Sequence, residues 1–247
     1  FTNIVLLILR RKNSFTFFEN KQHFTMELIV TGDGSHTIFM PGLNEQYHSV
    51  NGAITESEYV YIDKGFRYCK IVNPTVFEVG FGTGLNCLLT LAEATRSQRQ
   101  TKYITIEKCP LEKEMIQKLN YESLVPGAAD FWEKIHLTPW NEATKISEFF
   151  TLKKLNADLL DYQFENGDKA DVVYFDAFGP DKQPEMWTPL VFSSIYNLTS
   201  ENGIFVTYSA KGEVRRQLAA CGFAMERLPG PPGKNQMLRG IKILSNV

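Results

Sequence analysis

From residue 26 onward, short β-prone apolar runs alternate with stretches whose leucines and isoleucines recur three and four apart, the two periods that separate strands from helices. Residues 27–31, a Gly32-Asp33-Gly34 turn and residues 36–39 predict a small β-hairpin. The polar loop Tyr47-His48-Ser49 leading to Asn51-Gly52 reads first as a surface turn, with Tyr47 and Ser49 as candidate substrate contacts. Glu56 and Glu58 after Thr55 suit a helix start, while Tyr59-Val60-Tyr61-Ile62 is β-rich and leaves that segment open. Strands at 75–77 and 102–107 then flank a helix from Leu85 to about Gln98. Leu111, Met115, Ile116 and Leu119 share one helical face and predict a helix over 111–120. A third strand falls within 149–156, and 170–175 is a nearly continuous apolar run, as expected of a parallel strand buried on both faces. Further on, a helix opens at Pro184 and carries Leu190, Val191, Ile195 and Leu198. A strand at 203–208, a helix over 212–220 and a closing hairpin of 223–228 with 237–244 complete the pattern.

Strand and helix alternate without a linker, repeat or low-complexity stretch, and 247 residues suit one α/β domain. We expect residues 26–247 to form it, with a small N-terminal β element over about 26–70. Residues 1–25 differ. Their apolar run at 4–9 is too short to span a bilayer, and the basic Arg10-Arg11-Lys12 follows it, where a secretory signal carries its charge in front. The first methionine is Met26, so 1–25 is expected to be extraneous to function. A net charge of −2 gives no global attraction to nucleic acid, so a polyanion would need a local basic patch. The four cysteines are dispersed, which suggests neither a metal site nor a disulfide framework and fits reduced thiols in a cytoplasmic protein.

The candidate chemistry centres on Glu78-Val79-Gly80-Phe81-Gly82-Thr83-Gly84-Leu85-Asn86, a strand-turn-helix junction. Glycines there accept unusual dihedrals and let a ligand approach the backbone. The spacing Glu-x-Gly-x-Gly-x-Gly departs from the dinucleotide fingerprint and points to a nucleoside-type cofactor. Glu107 ends the next strand 23 positions past Gly84, near the interval at which an acid meets ribose hydroxyls. Asp158, after the third strand, is placed either to accept from an adenine amino group or to cap a helix. Asp176 ends the fourth strand in Asp176-Ala177-Phe178-Gly179-Pro180 and would face the same crevice. Together these describe a site for S-adenosylmethionine beside an acceptor amine, with Asp176 accepting its N–H hydrogens and Phe178 stacking on a planar base.

The segments 78–86, 106–111, 175–187 and 208–218, with Gly222-Phe223 and 234–240, resemble the methyltransferase domain of the bacterial enzymes that form 5-methylaminomethyl-2-thiouridine at the tRNA wobble position. The resemblance covers roughly 42 to 240. It implies a Rossmann-like class I S-adenosylmethionine-dependent methyltransferase, doubly wound, with a mostly parallel seven-stranded sheet whose last strand is antiparallel. Glu78, Gly80, Phe81, Gly82, Gly84, Asn86, Glu107, Lys108, Asp158 and Asp176 would then hold the cofactor, and Asp176 and Phe178 the acceptor amine and its base. Trp187 would contact the base, and Lys182, Lys211, Arg215, Arg216, Lys234 and Arg239 the phosphates of the tRNA anticodon loop. Ala177 stands where relatives often have Gly, and the flavin-dependent half fused to this domain in many bacteria has no counterpart here. A stand-alone methyltransferase is therefore expected, supplied by a separate flavin-dependent enzyme and needing neither metal nor membrane. Aminopropyl transfer, methyl transfer to a small amine and a catalytically silent RNA-binding scaffold are the alternatives.

Overall fold

In the computed structural model, residues 26–165 and 167–243 are described. The expectation for 1–25, and the last residue of the closing hairpin, lie outside them. Strands β1 (Glu27–Val30), β2 (His36–Met40) and β3 (Glu45–Gln46) form a small antiparallel sheet. Helix α1 (Ala53–Ser57) runs on as a π-helical stretch, Glu58–Phe66, which resolves the open segment in favour of helix. Its Val60, Tyr61, Ile62 and Phe66 side chains are buried, so packing overrides their strand propensity.

The main sheet contains β4 (Thr75–Val79), β5 (Thr101–Glu107), β6 (Ala143–Ser147), β7 (Phe150–Asn156), β8 (Ala170–Phe175), β9 (Thr199–Thr207), β10 (Phe223–Pro229) and β11 (Gln236–Lys242). Their spatial order is β10-β11-β9-β8-β4-β5-β7-β6. The pairs among β9, β8, β4, β5 and β7 are parallel, whereas β11 is antiparallel to both of its neighbours. The expected antiparallel last strand is therefore present. The sheet has eight strands because β6 adds an antiparallel edge to β7.

Helices α2 (Leu85–Ser97), α3 (Lys113–Ile116), α4 (Tyr121–Leu124), α5 (Ala129–Leu137), α6 (Pro189–Leu198) and α7 (Gly212–Ala220) connect the strands. Along β8, Val172 and Tyr174 enter one buried cluster with Leu88 of α2 and Phe66. Val173 and Phe175 enter the other with Phe192 of α6 and Leu218 of α7. The strand is thus covered on both faces, as its continuous apolar sequence requires. The helix expected over 111–120 shrinks to the single turn α3. The Lys118 carbonyl bonds the His36 ring at 2.8 Å, and the Asn120 side chain accepts from His36 N–H and donates to the Gly34 carbonyl. Backbone and side-chain groups that would continue the helix bind the small sheet instead. α5 and β6 lie outside the elements that the pattern predicted.

The chain runs outward from β4 through β5 to β7 and outward again from β8 to β9, so strand order switches between β4 and β8. In open sheets of this kind the ligand crevice lies beyond the carboxyl ends of the strands at that switch.

Candidate active site

β4 ends directly in the glycine turn. Gly80, Gly82 and Gly84 all have positive φ, at 89°, 49° and 80°. A Cβ on Gly80 would meet the Asp176 carbonyl oxygen at 2.8 Å, and one on Gly82 would lie 3.0 Å from the Tyr47 ring. Gly84 is the N-cap of α2. The turn therefore packs its backbone tightly against the Asp176 backbone and the Tyr47 ring at the carboxyl end of β4, where a nucleoside-type cofactor would approach.

Glu107, at the end of β5, accepts the Gly82 N–H at 3.1 Å and the Cys109 N–H at 2.8 Å through its two carboxyl oxygens. Burial pushes its carboxyl above the ordinary glutamate value. Lys108 and Asp158, at the ends of β5 and β7, form an ion pair of 2.7 Å. The other Asp158 oxygen accepts the Leu160 N–H at 3.0 Å, so this acid caps a turn locally. Its carboxyl is held below the usual range by the Lys108 ammonium. The groups that fit S-adenosylmethionine are the positive-φ glycines of the turn together with Glu107 at the end of the next strand.

Asp176 follows β8 and extends the sheet, its N–H donating to Val79 O at 3.0 Å. One carboxyl oxygen accepts from Tyr61 OH at 2.5 Å and the other from Asn86 Nδ2 at 2.8 Å. Burial pushes its pKa up to about 6, against the pull of those two donors. Phe178, two residues past Asp176, meets the Tyr47 ring edge to face at 5.2 Å. Burial and then the Glu107 charge raise the Tyr47 phenol, which keeps it neutral.

Several expected contacts are arranged otherwise. Trp187 is buried and donates its indole N–H to the Phe178 carbonyl at 2.7 Å, supporting the loop from behind instead of meeting a base. Arg239 is also buried. It pairs with Glu226 at 2.6 Å and stacks on Tyr68 at 3.5 Å, which removes it as a phosphate contact. Lys182 donates to Leu43 O at 3.0 Å, Lys211 pairs with Asp181, and Lys234 pairs with Glu56 at 2.5 Å while lying over the Tyr208 ring. Arg215 is half-buried on α7 and Arg216 is exposed. Ser49 donates its backbone N–H to Glu56 at 2.8 Å.

The loop read as a surface turn is part of the site. His48 is buried, its Nε2 lies 2.8 Å from Thr83 Oγ1 in the glycine turn, and burial lowers its pKa to about 4. Tyr61 carried no sequence signal for its bond to Asp176, nor Glu56 for its bonds to Ser49 and Lys234, since the reading of their segment stayed open between helix and strand. Glu78 is fully buried, and neither of its carboxyl oxygens meets a donor in hydrogen-bonding geometry. Burial pushes its pKa up to about 8, so it is neutral at pH 7.

A family model described as S-adenosyl-L-methionine-dependent methyltransferase matches residues 128–243. The tRNA 5-methylaminomethyl-2-thiouridine biosynthesis bifunctional protein MnmC of Burkholderia thailandensis is 32% identical over 229 residues, covering 86% of this chain and 34% of that protein. Its counterpart from Paraburkholderia xenovorans is 30% identical over 220 residues, covering 83% and 33%. The chain thus spans about a third of the length of these curated relatives. The crystal structure of MnmC2 from Aquifex aeolicus superimposes with a TM-score of 0.74 at 27% identity, covering 90% of this chain and 72% of that one. Glycine turn, strand order and these similarities agree, and the chain is an S-adenosylmethionine-dependent methyltransferase related to the MnmC proteins.

Proposed function

We propose that this chain methylates the primary amine of 5-aminomethyluridine, with or without 2-thiolation, at the wobble position of tRNA. The observation that carries the reading is the Asp176 carboxylate, held by Tyr61 and Asn86 at the switch point, on backbone that touches the glycine turn and leads two residues on to Phe178. The names of the relatives supply the acceptor class. Gly80, Phe81, Gly82, Gly84, Asn86, Glu107, Lys108 and Asp158 would hold the cofactor, with Glu78 buried beneath the turn. S-adenosylmethionine supplies an electrophilic methyl carbon, which the amine lone pair attacks as the C–S bond breaks onto sulfur.

The protein's own part is alignment and charge. Asp176 accepts the N–H hydrogens of the neutral amine, which keeps the lone pair directed away from it, and offsets the positive charge that develops on nitrogen. The surplus proton then leaves to solvent. Phe178 and Tyr47 offer ring surface to a uracil turned out of the anticodon loop. Lys182, Lys211, Arg215, Arg216 and Lys234 would face phosphates, Lys211 and Lys234 by exchanging their carboxylate partners. The aminomethyl group has to be installed first, in this reading by a separate flavin-dependent enzyme in the cytoplasm.

The test is methyl incorporation from labelled S-adenosylmethionine into tRNA from a strain lacking the modification, followed by nucleoside mass analysis. A 5-methylaminomethyl product is expected, and Asp176→Asn should bind cofactor but lose about 100-fold or more in turnover. Unlabelled tRNA with cofactor bound would move the acceptor to a small amine. Preference for the decarboxylated cofactor would indicate aminopropyl transfer, and no cofactor affinity a scaffold.

A further inference from the structure

Tyr61 is fully buried, and its hydroxyl reaches Asp176 Oδ1 at 2.5 Å. The ionised carboxylate can only accept, so the phenol is the donor, at the short length of a charge-assisted bond. Asn86 Nδ2 fixes the other oxygen at 2.8 Å. The two donors come from different elements, the π-helical stretch before β4 and the first turn of α2 after it. Gly65, about one turn beyond Tyr61, has no Cβ where one would lie 3.0 Å from Val206 and 3.1 Å from Tyr174, so the stretch seats directly on β8 and β9. That seating brings Tyr61 to the end of β8, where its ring packs 5.2 Å from Tyr174.

We propose that Tyr61 and Asn86 form a two-sided clamp that presents the Asp176 carboxylate to the acceptor amine in one orientation, with Tyr61 a positioning residue for methyl transfer. The proposal rests on the reading of Asp176 given above. With one donor on each oxygen, the carboxyl plane cannot rotate, and each oxygen keeps a lone pair for the crevice. The other titratable groups facing Asp176 are Glu56, Glu78, Tyr208 and Lys234. Glu56 disfavours its charge and Lys234 favours it, while Asp176 in turn raises the Glu78 carboxyl and the Tyr208 phenol; Tyr61 and Asn86 are the groups that bond it directly.

The test is Tyr61→Phe, which removes the hydroxyl and keeps the ring. The Asp176 carboxyl is followed by carbon NMR on aspartate-labelled protein, its resonance assigned with Asp176→Asn, alongside the pH dependence of kcat on tRNA. Loss of the donor should raise the Asp176 titration midpoint by about one pH unit, tenfold in proton affinity. The acid limb of kcat should move up with it, so that activity lost at pH 7 returns by about pH 9 while KM for tRNA stays unchanged. Placing 3,5-difluorotyrosine at position 61, a stronger donor of nearly the same shape, should move the midpoint down. A midpoint unchanged in both variants overturns the clamp, as does a kcat loss equal at every pH. A midpoint that moves while the wild-type kcat limb ignores Asp176 overturns the positioning role together with the catalytic one. A wild type that leaves tRNA unmethylated removes only the acceptor reading, because the NMR titration still reads the clamp.

Discussion

Gly80→Ala is the sharpest structural test of the cofactor turn. A φ of 89° is strained for any residue with a Cβ, at about 1–2 kcal/mol. The new methyl would also stand 2.8 Å from the Asp176 carbonyl oxygen, and that oxygen belongs to backbone that cannot swing aside. Forcing an atom into such a contact costs about 1–3 kcal/mol more. Gly80 is tied on its other side by its N–H to Ile106 O at 3.0 Å, so the turn cannot retreat without breaking that bond. A total near 3 kcal/mol predicts a melting temperature lower by roughly 6–12 °C for a chain of this size. The fold should survive, since domains hold about 5–15 kcal/mol. At Gly82 the obstacle is the Tyr47 ring at 3.0 Å, a side chain with room to turn, and φ is 49°, within the left-handed basin. Gly82→Ala should therefore cost less in stability while still weakening cofactor binding. Scanning calorimetry and isothermal titration with S-adenosylmethionine measure both effects. A Gly80→Ala protein that melts within about 2 °C of wild type and binds cofactor normally would refute the reasoning, and so would a Gly82→Ala protein less stable than Gly80→Ala.

Three further outcomes follow from the geometry. Thr83→Val keeps the shape of the side chain but leaves buried His48 Nε2 without its 2.8 Å partner, at a cost of about 1–3 kcal/mol in denaturant unfolding. Glu78→Gln should gain stability relative to wild type as pH rises. The folded carboxyl titrates near 8 instead of the unfolded 4.5, so wild type has the full contribution of the protonated acid below 4.5 and loses it progressively up to about 8. Melting temperatures of the two proteins compared at pH 5 and pH 8.5 check this, and a constant difference would contradict it. Methyl transfer by the wild-type enzyme should fall as pH drops through about 6, where Asp176 takes up its proton, as a pH–kcat profile will show.

The alternation of strands and helices and the glycine turn were legible because each depends on local signals, period and glycine placement. The strand-end positions of Asp176 and Glu107 were legible because a parallel strand delivers its last residue to the carboxyl edge of the sheet. The N-terminal contribution was not. Tyr61 lies 115 positions from Asp176, and its own segment was balanced between helix and strand until packing on β8 and β9 decided it. His48 sits in a polar stretch whose burial arises from contact with Thr83, 35 positions on. Trp187 failed as a base contact and Arg239 as a phosphate contact for the converse reason, since residue type cannot show which groups are already bonded inside the fold.

The position of β11 between β9 and β10 bears on how the chain is made. β10 reaches the sheet only through β11, so as the chain leaves the ribosome β10 emerges without a neighbour to pair with. The sheet closes when residues 236–242 arrive and slot in antiparallel. Until then β9 presents an open edge beside the forming crevice, a surface prone to wrong pairing between nascent chains. A chain cut before Gln236 would lose two strands in place of one.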